Sequence, residues 1–444
     1  MIRKCLSKGL RLGRAPRSGP RKAFLIAITK VCYNKLMDNN NRFVTGLDVG
    51  TENVRAVIAS VDKDGKIAVV GYNEGKSAGM RKGIPANLAG PAGAIDRMLG
   101  DAERMGGYDV RSAHVSINGS TVISTNTEGM IAVGAVEHEI NEEDLARVED
   151  VAVTGRIPAN RDVLDVVPLE YALDGQGGIK DPLGMSGARL EMRACVVSAL
   201  TPNCENLRKA TATADVVANR LVPSVVAAAK AVLSERQKEN GVAVVDLGGA
   251  TTSIAVYEEG DLQYVGVVPA GSNNITNDLA IVLAIDPELA EEIKVRFVTG
   301  DFDTEKSPAI KVGKNSERTF DRKEVEEVVK ARLDEIFAEV RKKLKSAKYD
   351  QRLPEGIVLV GGGAKMRDID LFAKKSLEAA VKIGTPTGLN GVSDAVEKPE
   401  FAAAVGLAML AAEESSFYSK PSKKTKKPKQ ATGPSFLKKI FSKF

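Results

Sequence analysis

The stretch FVTGLDVGTENVRAVIASV (43–61) decides how the rest of the chain is read. An apolar strand ends in Asp48, a tight turn runs through Gly50 and Thr51, and Val54 opens a second strand. The unit returns about 200 residues later as VAVVDLGGATTSIAVY (242–257). Here a strand ends in Asp246, the turn is Gly248-Gly249-Ala250-Thr251, and a second strand starts at Ser253. One Asp-x-Gly at a strand end is a common hairpin turn. Two copies predict duplicated domains facing each other. The chemistry suits phosphate, because glycine lets the backbone approach closely and aims N–H groups at an anion. Thr51, Thr251 and Thr252 would add hydroxyl donors. Asp48 and Asp246 would hold Mg²⁺ through water, since that ion keeps most of its hydration shell.

A third glycine-rich turn lies in GIVLVGGGAKMRDIDLFAKKSL, where strand 357–360 meets Gly361-Gly362-Gly363 before a helix near Arg367. It lacks the GxGxxG spacing of a dinucleotide fingerprint. No GxxxxGK[ST] occurs anywhere, so the chain is not a P-loop protein. Taken alone, the run is a strand-to-helix turn; beside two phosphate turns it becomes a platform for a nucleoside. Two Ala-rich helices, PSVVAAAKAVL (223–233) and FAAAVGLAMLAA (401–412), carry small residues suited to close interdomain packing.

The formal charge of +5 conceals an asymmetry. Residues 1–36 hold ten Lys/Arg and no acid, and residues 420–444 hold nine Lys and no acid, which leaves −14 for residues 37–419. An acidic body argues against general nucleic-acid binding. Basic ends suit anionic lipid. Four cysteines (Cys5, Cys32, Cys195, Cys204) show no CxxC spacing, as in a reducing cytosol. Two histidines without an HExxH pattern exclude most zinc and Ser-His-Asp chemistries.

The chain ends in GPSFLKKIFSKF. At about 100° per helical residue, Phe436, Leu437, Ile440, Phe441 and Phe444 fall within an arc of roughly 140°. Lys438, Lys439, Ser442 and Lys443 lie outside that arc. The segment is too short to cross a bilayer but can lie on one. It could also dock on its own domain. The lysine-rich, acid-free run SKPSKKTKKPKQATG ahead of it, within a linker expected at 413–433, reads as disordered and basic, which a helix packed on its own domain does not need. At the other end, residues 1–36 read either as a targeting presequence or as an extension outside the natural fold, with translation starting at Met37.

The order of Asp-x-Gly-Thr hairpin, Ala-rich helix, Asp-x-Gly-Gly hairpin, triple-glycine turn and second Ala-rich helix resembles the actin-like ATPase superfamily. Within it the chain is similar to the FtsA family of bacterial division proteins, over about 42–412 plus the terminal helix. The stretches VVPLEYALDGQGGIKDPLGMSGARLEMR (166–193), AGSNNITNDLA (270–280) and AEEIKVRFVTG (290–300) carry most of the likeness. The resemblance implies an α/β, ribonuclease H-like duplicated ATPase fold. A first domain (42–240) would carry a 1C insertion at about 120–193, in place of actin's 1B. A second domain (241–412) would carry a 2B insertion at about 266–340. It further implies that Asp48, Gly50, Thr51, Asp246, Gly248, Gly249 and Thr251 surround the phosphates and Mg²⁺. Gly271 would approach the nucleotide, Glu291 and Lys294 would reach the ribose and adenine, and Gly361, Gly362, Gly363 and Met366 would line the adenosine.

By the same resemblance, the protein would bind ATP, polymerise, and tether filaments of FtsZ by their C-terminal tails. It would sit at the cytoplasmic face of the membrane at the division site and recruit later division proteins. Two departures stand out. Ala250 replaces a glycine common in the family. Val222 precedes Pro223 where relatives in the superfamily often place a water-orienting glutamate. A missing group of that kind can cost about 10²–10⁴ in rate, so slow hydrolysis is expected and no catalytic base is assigned. The alternatives are a small-molecule kinase or a chaperone-type ATPase of the same superfamily.

Overall fold

The structure, a computed structural model, describes residues 42–134, 138–299, 309–312, 316–349 and 352–417. The expected N-terminal extension, the basic run from 418 onward and the terminal amphipathic helix lie outside these residues.

In the first sheet, strands Arg42–Val49, Asn53–Val61 and Ile67–Lys76 form an antiparallel meander. Ser112–Ile117 pairs in parallel with the first of them, and Val217–Pro223 pairs in parallel with Ser112–Ile117. The second sheet repeats this order. Val242–Leu247, Thr252–Glu258 and Asp261–Val268 form the meander, followed outward by parallel Ile357–Val360 and Val381–Ile383. The duplication expected from two short turns therefore extends to whole sheets. Their central strands, RFVTGLDV and VAVVDL, are buried along most of their length, the pattern of a sheet covered on both faces.

The first insertion is a four-stranded sheet of Ile123–Ala132, Arg161–Leu173, Gln176–Ile179 and Arg189–Leu200. Helix Glu142–Val153 covers it, starting at Asn141, whose side chain accepts the N–H groups of Glu143 and Asp144. Val148, Ala152, Leu190, Met192 and Val196 give this unit its own core. The second insertion holds helices Ser272–Val282 and Pro287–Thr299, the antiparallel pair Ala309–Val312 and Ser316–Thr319, and the long helix Arg322–Ser346. That charged helix buries Val325, Val329, Leu333, Ile336, Phe337, Val340 and Leu344, a stripe at three- and four-residue spacing.

The two Ala-rich helices run Ser224–Val232 and Ala402–Phe417. They pack on each other so closely that a Cβ at Gly406 would overlap the Ala227 carbonyl. Chain order groups the second helix with the second domain, yet it lies on the first sheet, where Gly46 meets the Ala404 carbonyl. Strand Asn390–Gly391 brings the chain back by pairing with Ile67–Lys76. The helix continues to Phe417, past the expected start of the basic linker at 413. Glu413 reaches Lys230 at 2.5 Å, and Glu414 reaches Arg220 at 2.6 Å and His114 at 2.9 Å.

Candidate functional site

Both Asp-x-Gly turns close in the same way. The Gly50 N–H donates to the Asn53 carbonyl at 3.0 Å, and the Gly248 N–H donates to the Thr251 carbonyl at 3.0 Å. The turns line one cleft between the two domains, with a cavity volume of about 260 Å³. Each aspartate is oriented by a serine from another element. Ser116 Oγ donates to Asp48 Oδ1 at 2.7 Å and accepts the Val49 N–H at 2.8 Å. Ser224 Oγ donates to Asp246 Oδ2 at 3.0 Å.

Burial pushes the Asp48 carboxyl above its ordinary value, against the pull of Arg55 and Ser116. Burial and then the charge of Asp48 push Asp246 from 3.8 to about 6. The Asp48 charge thus raises the proton affinity of Asp246 across the cleft floor, while Glu74 adds to that of Asp48. Arg55, opposite Asp48 in the strand register, lies 3.7 Å from it and 2.6 Å from Glu74. Its guanidinium sits 5.9 Å from the Phe401 ring centre. At the mouth, Asn273 Nδ2 donates to Glu52 Oε1 at 2.5 Å, joining the two domains.

The third turn closes the far end. Gly361 has φ 88°, a conformation that favours glycine, and a Cβ there would overlap Asp246 Oδ1. Its N–H donates to the Pro399 carbonyl at 2.9 Å. Gly362 begins a short 3₁₀ turn ending at Lys365, and helix Ile369–Leu377 follows. On the opposite wall, Lys294 meets Glu291 at 2.5 Å and Thr276 at 2.9 Å. Burial alone would raise the Glu291 carboxyl, but hydrogen bonds and charge from Lys294 hold it below its ordinary value.

Of the cofactor residues expected from sequence, all but Gly271 line this cleft. Gly271 lies behind the second turn, where a Cβ would meet the Gly248 and Gly249 carbonyls at 2.6 Å. Thr252 is also turned away, its hydroxyl donating to the Ala270 carbonyl at 2.8 Å. Val222 is buried and absent from the cleft wall. Sequence reasoning missed Arg55, Ser224, Lys365 and Glu400, which line the cleft, and Ser116 behind it. Arg55 had a signal, as a lone charge within an apolar strand. The serines had none, because their role depends on which elements become neighbours. Among the described residues, no cluster of three or more His, Cys, Asp or Glu is arranged to hold a metal.

Two family profiles match the chain. One, described as "Cell division protein FtsA", covers residues 243–406, and the other, "SHS2 domain inserted in FTSA", covers residues 119–198. The second coincides with the inserted four-stranded unit. The cell division protein FtsA of Pseudomonas aeruginosa is 35% identical over 376 residues, spanning 83% of this chain and 89% of the relative. That of Escherichia coli K12 is 31% identical, spanning 83% and 90%. That of Bacillus subtilis is 32% identical, spanning 84% of each. Among solved structures, a chain of the "PilM-PilN type IV pilus biogenesis complex" superposes with a TM-score of 0.61 at 18% identity. It covers 83% of this chain and 98% of that one, and at that identity it speaks for the actin-like fold alone. With duplicated sheets, an SHS2 insertion and relatives of this similarity along most of its length, the chain belongs to the FtsA family of actin-like cell division proteins.

Proposed function

We propose that the cleft binds ATP with Mg²⁺, and that the nucleotide-loaded protein polymerises and tethers FtsZ filaments, by their C-terminal tails, to the cytoplasmic face of the membrane. The observation that carries this reading is the pair of aspartates between glycine turns, Asp48 buried and Asp246 half-buried, with the charge of Asp48 raising the Asp246 carboxyl. Such a floor is unfavourable by itself and is relieved by a cation. The donors near it are hard oxygens, which suit Mg²⁺ held through its own water. Bound there, Mg²⁺ would neutralise phosphate charge. The backbone N–H groups of the turns and the Arg55 guanidinium would cradle the phosphates. Gly361, Gly362, Gly363 and Met366 would take the adenosine. Hydrolysis would be slow, because Val222 offers no group to orient water. The basic, amphipathic end of the chain supports membrane attachment, and FtsA family membership supports FtsZ, a homopolymer and later division proteins as partners.

Co-sedimentation with anionic vesicles tests the reading. FtsZ should pellet with vesicles only when this protein and ATP are both present. FtsZ that stays in the supernatant with both present would overturn the tethering role.

A further inference from the structure

We propose that Glu52 and Asn273 form a latch across the mouth of the cleft, and that parting this latch sets the rate at which nucleotide enters and leaves. The inference rests on the nucleotide reading above.

Each half of the latch is fixed to one of the two glycine turns. Glu52 follows Thr51 in the first turn, and its carbonyl accepts the Ser77 N–H at 2.8 Å. Asn273 stands in the first turn of helix Ser272–Val282, which starts against the second glycine turn. There the Ser272 N–H donates to the Gly248 carbonyl at 2.9 Å and the Asn273 N–H to the Gly249 carbonyl at 2.7 Å. With both backbones held, the side chains meet across the gap, Asn273 Nδ2 donating to Glu52 Oε1 at 2.5 Å. Lys76 Nζ lies 3.5 Å from Glu52 Oε2 and steadies the carboxylate from the side of the first domain. Gly249 makes the crossing possible. A Cβ there would lie 2.5 Å from Glu52 Cγ and 3.1 Å from Asn273 Oδ1, so a side chain at 249 would displace the bridge.

Both latch residues line the cleft together with Gly50, Thr51, Gly249 and Ala250. A phosphate chain seated between the two turns therefore lies between walls that this bond joins. The bond spans 221 residues of sequence and ties the wall carrying Asp48 to the wall carrying Asp246. A hydrogen bond to a carboxylate is among the stronger kinds, and removing it shifts an opening equilibrium by roughly tenfold or more. The latch pairs its donor with its own acceptor, not with the ligand. It therefore slows entry and exit together and leaves affinity nearly untouched, which is the kinetic signature of a gate.

Stopped-flow measurement on the full chain with Mg²⁺ tests the latch, using a fluorescent ATP analogue chased by unlabelled ATP. Glu52→Ala and Asn273→Ala should each speed dissociation at least about tenfold. Association should quicken as well, so that Kd moves by less than about threefold. The double variant should be no faster than either single one, because both remove the same bond. Glu52→Gln keeps an acceptor for Asn273 and should stay closer to wild type than Glu52→Ala. Both side chains are half-buried at the surface of the cleft, and thermal melts check that each variant is folded. Unchanged dissociation rates in the folded single variants would overturn the latch and leave the nucleotide reading standing. So would rate increases that multiply in the double variant, or a loss confined to Kd with association unaltered. Absence of nucleotide binding by the wild type would overturn the nucleotide reading and the latch's role with it.

Discussion

Asp246 sits close enough to Asp48 to feel its charge, both carboxyls are raised first by burial, and Ser116, Ser224 and Arg55 offset only part of the cost. Because the folded pKa of Asp246 is raised from 3.8 to about 6, the folded state holds a proton that the unfolded chain has released. Without ligand, this group's contribution therefore declines as pH rises from 4 through 6 and is lowest above 6. Asp246→Asn should stabilise the ligand-free protein at pH 7, by at most about 3 kcal/mol at 1.36 kcal/mol per pKa unit. Burial lowers the pKa of His114, so its contribution is lost as pH falls through the unfolded value of 6.5, the opposite direction. The comparison is therefore the difference between wild type and variant in melts at pH 5 and pH 7. Parallel profiles would show that the Asp246 carboxyl is not raised in the folded protein. Asp246→Asn should also lose stabilisation by ATP with Mg²⁺. At Gly249, a Cβ would lie 2.5 Å from Glu52 Cγ and 3.1 Å from Asn273 Oδ1, the pair that bridges the cleft mouth. Gly249→Val should lower ATP affinity at least tenfold, about 1.4 kcal/mol, by calorimetry.

Helices report the same logic at larger spacing. Ser224–Val232 and Ala402–Phe417 approach through Ala227 and Gly406 with no room for a further carbon. Gly406→Val should destabilise by about 1–3 kcal/mol or more, read from the denaturant midpoint, because the backbones must separate. Gly100, within helix Ala89–Gly106, faces open space, and a Cβ there would meet nothing within 4 Å. Gly100→Ala should therefore stabilise by about 0.5–1 kcal/mol, since only helix propensity changes. Both glycines stand in helices; their opposite expected signs come from what each faces.

At the scale of the whole molecule, charge is segregated, with basic ends on an acidic body. Among the described residues, no helix is long and apolar enough to cross a membrane. Attachment is proposed to rest on Phe436, Leu437, Ile440, Phe441 and Phe444, with Lys438, Lys439 and Lys443 adding about 1 kcal/mol each near anionic lipid. Polymerisation would multiply a weak single contact through avidity. Phe441→Glu should release the protein from anionic vesicles without altering ATP affinity, checked by pelleting and calorimetry. High salt should weaken attachment only in part, since the apolar contribution persists. Pelleting as strong as wild type would favour a terminal helix docked on its own body. Phosphate release with lipid present should stay well below about 10 s⁻¹, the median for enzymes.

The sequence alone determined the repeat, the glycine turns, the two aspartates and the small-residue helices, because each is a local pattern of a few adjacent residues. It also showed the segregation of charge, which is plain counting. Tertiary structure decided the rest. Only strand pairing sets Arg55 beside Asp48 and Glu74, and only packing brings Ser116 and Ser224 onto the carboxylates. Only the return of the chain through Asn390–Gly391 seats the last helix on the first sheet. Gly271 matched a family stretch and still lies behind the cleft, whereas Glu400, on no motif, lines it. The physical reason is distance along the chain. A turn is specified by its own residues, but a buried charge is answered by partners tens to hundreds of residues away, and no local pattern records which of them the fold will bring near.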